Sequence, residues 1–317
     1  MSNMTAGGVP NYTLPQLILT VSLILVTFGS ILATLLMFPA YIHVNRLNRK
    51  RDEQSSIFPL LNHFHSIVTY LNVLLIVELF SLFVTVHNYS KDSCNRYPNF
   101  DKTARYYKFL MLLIISVFIS NILTEAQHIF LSLLAVQRFL MYFFPHTEKY
   151  VALSRKATTR VVRLVYFLFY AYTISFLVWL YLQEHTIENC RYMQRFVEIK
   201  FVIFVVLNVL LTVSVSLYIP IMISTRKVSN LASAVQNQPQ KYILIQTGLI
   251  FGIKMTYTPF FLLFFHERLD MIALVSAIFD IITTPLVIQI SYLSCNKRNA
   301  NALGSTYFGS ILRALFA

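Results

Sequence analysis

Seven separate runs of about 20 or more apolar residues, each long enough to cross the hydrocarbon core of a bilayer, dominate this chain. They lie near residues 15–42, 60–86, 106–142, 162–183, 199–224, 242–265 and 271–294. A segment inside lipid must satisfy its own backbone hydrogen bonds, so runs of this length read as helices and not as open strands. Composition agrees: 56% of the residues are hydrophobic, only 12% are charged, and mean hydropathy is +0.62. Soluble domains do not use residues in those proportions. The expected fold class is an all-α membrane protein, a seven-transmembrane helix bundle over 15–294. A leading segment, 1–14, precedes it, and a tail, 295–317, follows. The first run exceeds the apolar region of a secretory signal, and no lysine or arginine precedes it, so it reads as a retained span.

Orientation follows from charge. Basic residues gather in the polar stretches Arg46–Arg51, Lys149–Arg163, Arg226–Lys241 and from Lys297 onward, all on one side of the spans. Such clusters stay cytoplasmic, which places the N-terminus outside and the C-terminus inside. The formal charge of +13 is thus a matter of topology and contact with lipid headgroups, and it calls for no nucleic acid. Three N-x-S/T sequons, at Asn3, Asn11 and Asn88, fall on the outer side as candidate glycosylation sites. Cys94 and Cys190 lie in the first and second outer loops, an oxidising compartment, where a bridge between them is expected. Cys295, just inside the last span, is either palmitoylated or a free thiol. Three scattered cysteines make no zinc site.

The third run ends in Gln137-Arg138-Phe139-Leu140-Met141-Tyr142-Phe143-Phe144-Pro145. A charge in a helix leaving the bilayer is costly and usually functional, although a snorkelling arginine would look the same. The spacing from Arg138 to Pro145 resembles the inner end of the third helix of G-protein-coupled receptors. With seven spans and this topology, the chain resembles rhodopsin-like receptors and, more closely, the nematode serpentine chemoreceptors of class Z. The residues carrying the closer likeness run from Gln127-His128-Ile129-Phe130 to Pro145, and from Thr284-Pro285-Leu286-Val287-Ile288-Gln289 to Tyr292, then Cys295-Asn296-Lys297-Arg298. The resemblance covers nearly the whole chain. It implies a plasma-membrane receptor of sensory-neuron cilia that binds an unidentified extracellular small molecule and signals through a heterotrimeric G protein. The coupling residues it implies are Gln137, Arg138 and Phe139, with Phe143, Phe144 and Pro145 as an apolar knob. No cofactor is implied.

The chain departs from the rhodopsin-like pattern in four places. Gln137 stands where an acid would clamp the arginine. Ile288 stands where the seventh helix would carry a tyrosine, with Tyr292 one turn on along the same face. Leu113 stands where the usual third-helix cysteine would be, 25 residues before Arg138. Pro259 and Pro285 are candidate hinges, since proline kinks a transmembrane helix. Pro259 lacks the usual preceding tryptophan, and Tyr257 or Phe260 is the candidate moving aromatic.

Five ionisable groups lie within spans: Glu78, Glu125, His128, Lys254 and Asp280. At mid-helix each charge costs roughly 2.5–3.5 kcal/mol even on the lenient insertion scale, so they should face inward and pair. Lys254 is expected to pair with Glu125 or with Asp280, as a resting-state lock or as the floor of a ligand pocket. A purely structural polar network is the bland alternative. Glu125 and His128 share one helix face. A seven-helix transporter or ligand-gated channel is the alternative function, but no inverted repeat supports it. The pair His63 and His65 lacks the further histidines of a membrane-enzyme metal site, so no enzyme is expected. In the tail, Tyr307, Phe308, Ile311, Leu312, Leu315 and Phe316 recur at helical spacing and suggest a short amphipathic helix.

Overall fold

The computed structural model describes residues 14–53, 58–93, 100–144, 146, 155–182, 189–228, 238–264 and 269–296. Its regular structure is seven α-helices: α1 (Leu14–Asp52), α2 (Phe58–Ser93), α3 (Phe100–Phe143), α4 (Arg155–Leu182), α5 (Asn189–Val228), α6 (Gln238–Phe264) and α7 (Leu269–Cys295). Each coincides with one of the seven apolar runs. Several continue well beyond it: α1 extends through the basic segment Arg46–Arg51, and α5 begins ten residues before residue 199. Those flanks carry good helix formers and no proline, so polarity ends the span without ending the helix. Among the described residues, five of the helices are, by length and composition alone, able to cross a membrane.

Burial runs opposite to that of a water-soluble protein. The outer surface is apolar: Leu25, Phe28, Phe83, Phe167 and Leu263 are all more than 60% exposed. The interior holds Asn72, Gln127, Gln246, Ser276 and Gln289, none with any accessible surface. A bundle whose solvent is hydrocarbon shows this pattern, because lipid accepts apolar side chains and rejects unpaired polar ones. The chain is a multi-pass membrane protein.

Helix α7 is the axis of the bundle, packed against α1, α6, α5, α3 and α2, while α3 packs on α2 and α5. The main core joins Tyr41 and Val44 of α1, Phe64 and Ile67 of α2, Phe130 and Leu134 of α3, Leu211 of α5, Ile243 and Ile250 of α6, and Ile288 and Leu293 of α7. A smaller aromatic cluster, Tyr257, Phe261, Ile272 and Phe279 with Phe201 and Phe204 against it, caps the end at which α3, α5 and α7 begin. That end is termed the upper end and the opposite one the lower end. Pro39, Pro220, Pro259 and Pro285 all lie inside helices, where each removes one backbone hydrogen bond.

Candidate functional site

The intramembrane charges are sorted into two ion pairs in the upper half of the bundle. Lys254 of α6 lies 2.6 Å from Asp280 Oδ2 of α7, and the Tyr257 hydroxyl donates to Asp280 Oδ1 across 2.6 Å. Of the two partners expected for Lys254, the one it meets is Asp280. Three residues separate Lys254 from Tyr257, so one face of α6 presents both donors to one carboxylate. The Phe204 ring of α5 lies 5.6 Å from the Lys254 ammonium, within the range of cation–π attraction. His128 of α3 is 2% exposed and close enough to feel both Lys254 and Asp280 electrostatically.

Glu125 meets a different cation. Its Oε1 accepts from Lys200 Nζ of α5 at 3.2 Å and from Asn121 Nδ2 at 3.0 Å. The Lys200 ammonium also lies 5.5 Å from the centre of the Tyr172 ring on α4. Since Glu125 precedes His128 by three residues and Lys200 precedes Phe204 by four, this second pair lies one helical turn above the first. Glu78, on α2, accepts from the Ser120 hydroxyl of α3 at 2.7 Å and stands apart from both pairs.

Side chains of α3, α4, α5, α6 and α7 thus gather into one layered polar cluster in the upper half of the bundle, the upper chamber. Its floor is His128, Lys254 and Asp280, and its upper layer is Glu125, Lys200, Tyr257 and Ser276. All of these groups are largely buried: the Lys254 side chain is 3% exposed, and those of Asp280, Glu125 and Lys200 are 12%, 13% and 16% exposed. Hydrogen-bonding capacity is left over inside the chamber. Among the described residues, Glu125 Oε2, His128 Nε2 and the Ser276 hydroxyl are buried without a partner. Buried polar atoms are rarely left so.

The lower half is joined by aromatic and polar contacts. Tyr292 donates to Asp52 Oδ2 at 3.1 Å, tying α7 to the end of α1. Its ring meets Tyr41, His65 and Tyr242 edge-on at 5.4, 4.9 and 5.4 Å, and the Tyr41 hydroxyl is hydrogen-bonded to His65 Nδ1. Three helices, α1, α2 and α6, therefore converge on Tyr292 of α7. Gln289 Nε2, one turn above, reaches Asn72 Oδ1 of α2 at 3.4 Å. His63 stacks edge-on to Phe130 and bonds the Tyr166 hydroxyl at 3.1 Å. The two histidines of this motif thus hold helices together, and among the described residues no group of side chains could hold a metal ion.

Arg138 is partly buried near the lower end of α3, within electrostatic reach of Tyr218 on α5. Among the described residues its Nε has no hydrogen-bond partner. Gln137 and Phe139 flank it, both partly buried. Phe139 stacks on Phe143 at 4.8 Å and on Phe144 at 6.5 Å. Phe143 and Phe144 are 41% and 52% exposed, an apolar tip at the helix end. Pro259 and Pro285 lie on α6 and α7, above and below the Lys254–Asp280 level respectively.

Asn3, Asn11, Cys94, Pro145 and the tail helix lie outside the described residues, as do the side chains of Asn88 and Cys190. Cys295 packs partly buried against the main core. Among the site residues that the sequence did not single out are Lys200 and Asp52. Lys200 stands at the edge of an apolar run and Asp52 beyond one, where a charge reads as a flank.

A family model described as serpentine type 7TM GPCR chemoreceptor Srz matches residues 24–297. No curated protein and no solved structure matches the chain.

Proposed function

Because the chain belongs to the serpentine type 7TM GPCR chemoreceptor family Srz, we propose that it binds an extracellular small molecule in the upper chamber and activates a heterotrimeric G protein at the lower end. The upper end then faces outward, a reading the basic clusters support, and the receptor works in the plasma membrane, in sensory-neuron cilia. The observation that carries this reading is the buried Lys254–Asp280 pair, held by Tyr257 across α6 and α7. Ionisable groups at such depth are costly and tend to mark function. A pair that bridges two proline-bearing helices is suited to sense a ligand, because any change in its partners biases how α6 sits against α7.

Arg138 supplies the lower end of this reading. With no acid beside it in sequence and Tyr218 as its neighbour on α5, the guanidinium keeps donors for a partner's backbone carbonyls. Phe143 and Phe144 add an apolar contact beside it. The test is G-protein recruitment in cells expressing the parent or Arg138→Ala at matched surface level, challenged with a broad small-molecule panel. The reading expects a response in the parent that Arg138→Ala abolishes. A ligand-driven current or uptake that survives Arg138→Ala, with no G protein engaged, would replace it with a channel or transporter.

A further inference from the structure

The chamber's charges and its unused hydrogen-bonding atoms define what kind of molecule fits it, given that the upper chamber is the ligand site proposed above. Besides the His128 imidazole, the ionisable side chains here are Glu125, Lys200, Lys254 and Asp280, two acids and two bases already matched in pairs. A ligand with a net charge would leave one group buried without a counter-charge, which a weakly solvated bundle penalises. An uncharged ligand leaves the balance intact.

The leftover capacity is of both kinds. On the donor side, Lys254 makes one hydrogen bond, to Asp280, although an ammonium has three N–H groups. The Ser276 hydroxyl, one turn above Asp280 on the same face of α7, is fully buried and unpartnered. On the acceptor side, Glu125 Oε2 is buried without a donor, while Oε1 takes both Lys200 and Asn121. His128 Nε2, nine-tenths buried and unpartnered, serves either role according to its tautomer. Phe201, Phe204, Tyr257, Phe261 and Phe279 form a packed aromatic cluster beside these atoms.

We infer that the ligand is a net-uncharged small molecule whose head carries both a hydrogen-bond acceptor and a donor, on an apolar or aromatic body. The acceptor meets Lys254 and Ser276, the donor meets Glu125 Oε2, and the body lies on the aromatic cluster. A primary carboxamide has this chemistry. A lone carboxylate or a lone ammonium lacks it.

The test uses the purified full chain in lipid nanodiscs and three probes sharing one body: phenylacetamide, phenylacetate and phenethylamine. Phenylacetamide should bind at least about tenfold more tightly than either ion, a difference of about 1.4 kcal/mol. Two variants then move the preference in opposite directions. Glu125→Gln leaves Lys200 unmatched and should favour phenylacetate, whereas Lys200→Gln leaves Glu125 unmatched and should favour phenethylamine. An ion that binds the parent as tightly as the amide, selectivity unmoved in both variants, or no binding by any probe would overturn the inference. Binding is read without a G protein, so recruitment that fails while the amide still binds faults the signalling reading alone.

Discussion

Tyr292 and Asp52 join the last helix to the first: the phenol donates to the carboxylate at 3.1 Å, across 240 residues of chain. Both are nearly inaccessible, at 2% and 4%. Hydrogen bonds to a charged group contribute about 1.5–3 kcal/mol, and Tyr292→Phe removes this one while keeping the ring contacts to Tyr41, His65 and Tyr242. The expected outcome is a loss of stability in that range, read by thermal unfolding of the purified chain. A lower end released in this way should also raise ligand-independent G-protein recruitment. An unchanged melting temperature and basal signal would show the tie to be passive.

The Lys254–Asp280 pair should be strongly non-additive. Removing one partner of a buried pair typically costs about 3–5 kcal/mol, because the other charge is stranded, whereas removing both with apolar residues is often close to neutral. Lys254→Met and Asp280→Leu should therefore each reduce folded receptor at the surface, and the double variant should recover much of it. A double variant as poor as the sum of the singles would show that the pair's geometry, and not its charge balance, is what the bundle needs. Lys254→Met with normal surface level, response and basal activity would remove the pair from any functional role.

Two phenylalanines separate the core from the lipid face. Phe130 has no accessible surface and touches His63 and Tyr166, so Phe130→Ala should cost about 3–5 kcal/mol. Phe83 is 69% exposed and faces hydrocarbon. Phe83→Ala should stay within about 0.5 kcal/mol of the parent, as measured by unfolding in nanodiscs. Equal losses would mean that the exposed face is packed against something other than lipid.

Gly248 and Gly252 of α6 have nothing within 4 Å of the position a Cβ would take. Alanine there meets no clash and removes a helix penalty of roughly 0.5–1 kcal/mol. Gly252→Ala should raise the melting temperature without reducing surface level. A response lost despite that gain would identify the glycine as a point where α6 must bend.

The seven helices were legible because lipid permits so few backbone solutions: an apolar run of sufficient length has little choice but to be a helix. The ends were less legible. Polarity tells where the membrane stops, but nothing in Arg46–Arg51 tells α1 to stop, and it continues to Asp52. That is why the sequence does not single out Asp52, although it is buried against Tyr292. Lys200 was missed for the same reason, standing at the margin of its run with a side chain that turns back to Glu125. Which acid Lys254 would meet depended on how far α3 and α7 each lie from α6, a matter of tertiary distance that one-dimensional depth leaves open. Tyr292 was easier, since it shares a face with Ile288, and Ile288 is fully buried.

Pro259 gives the bundle a mechanical character. The part of α6 from Gln238 to Pro259 is about 30 Å long at the rise of an α-helix. A further bend of about 15° at the proline would carry its far tip by about 8 Å. Lys254 lies close to that fulcrum and Gln238 at the free end, so a shift too small to disturb the chamber's packing becomes, at the opposite membrane face, a displacement the width of a helix radius or more.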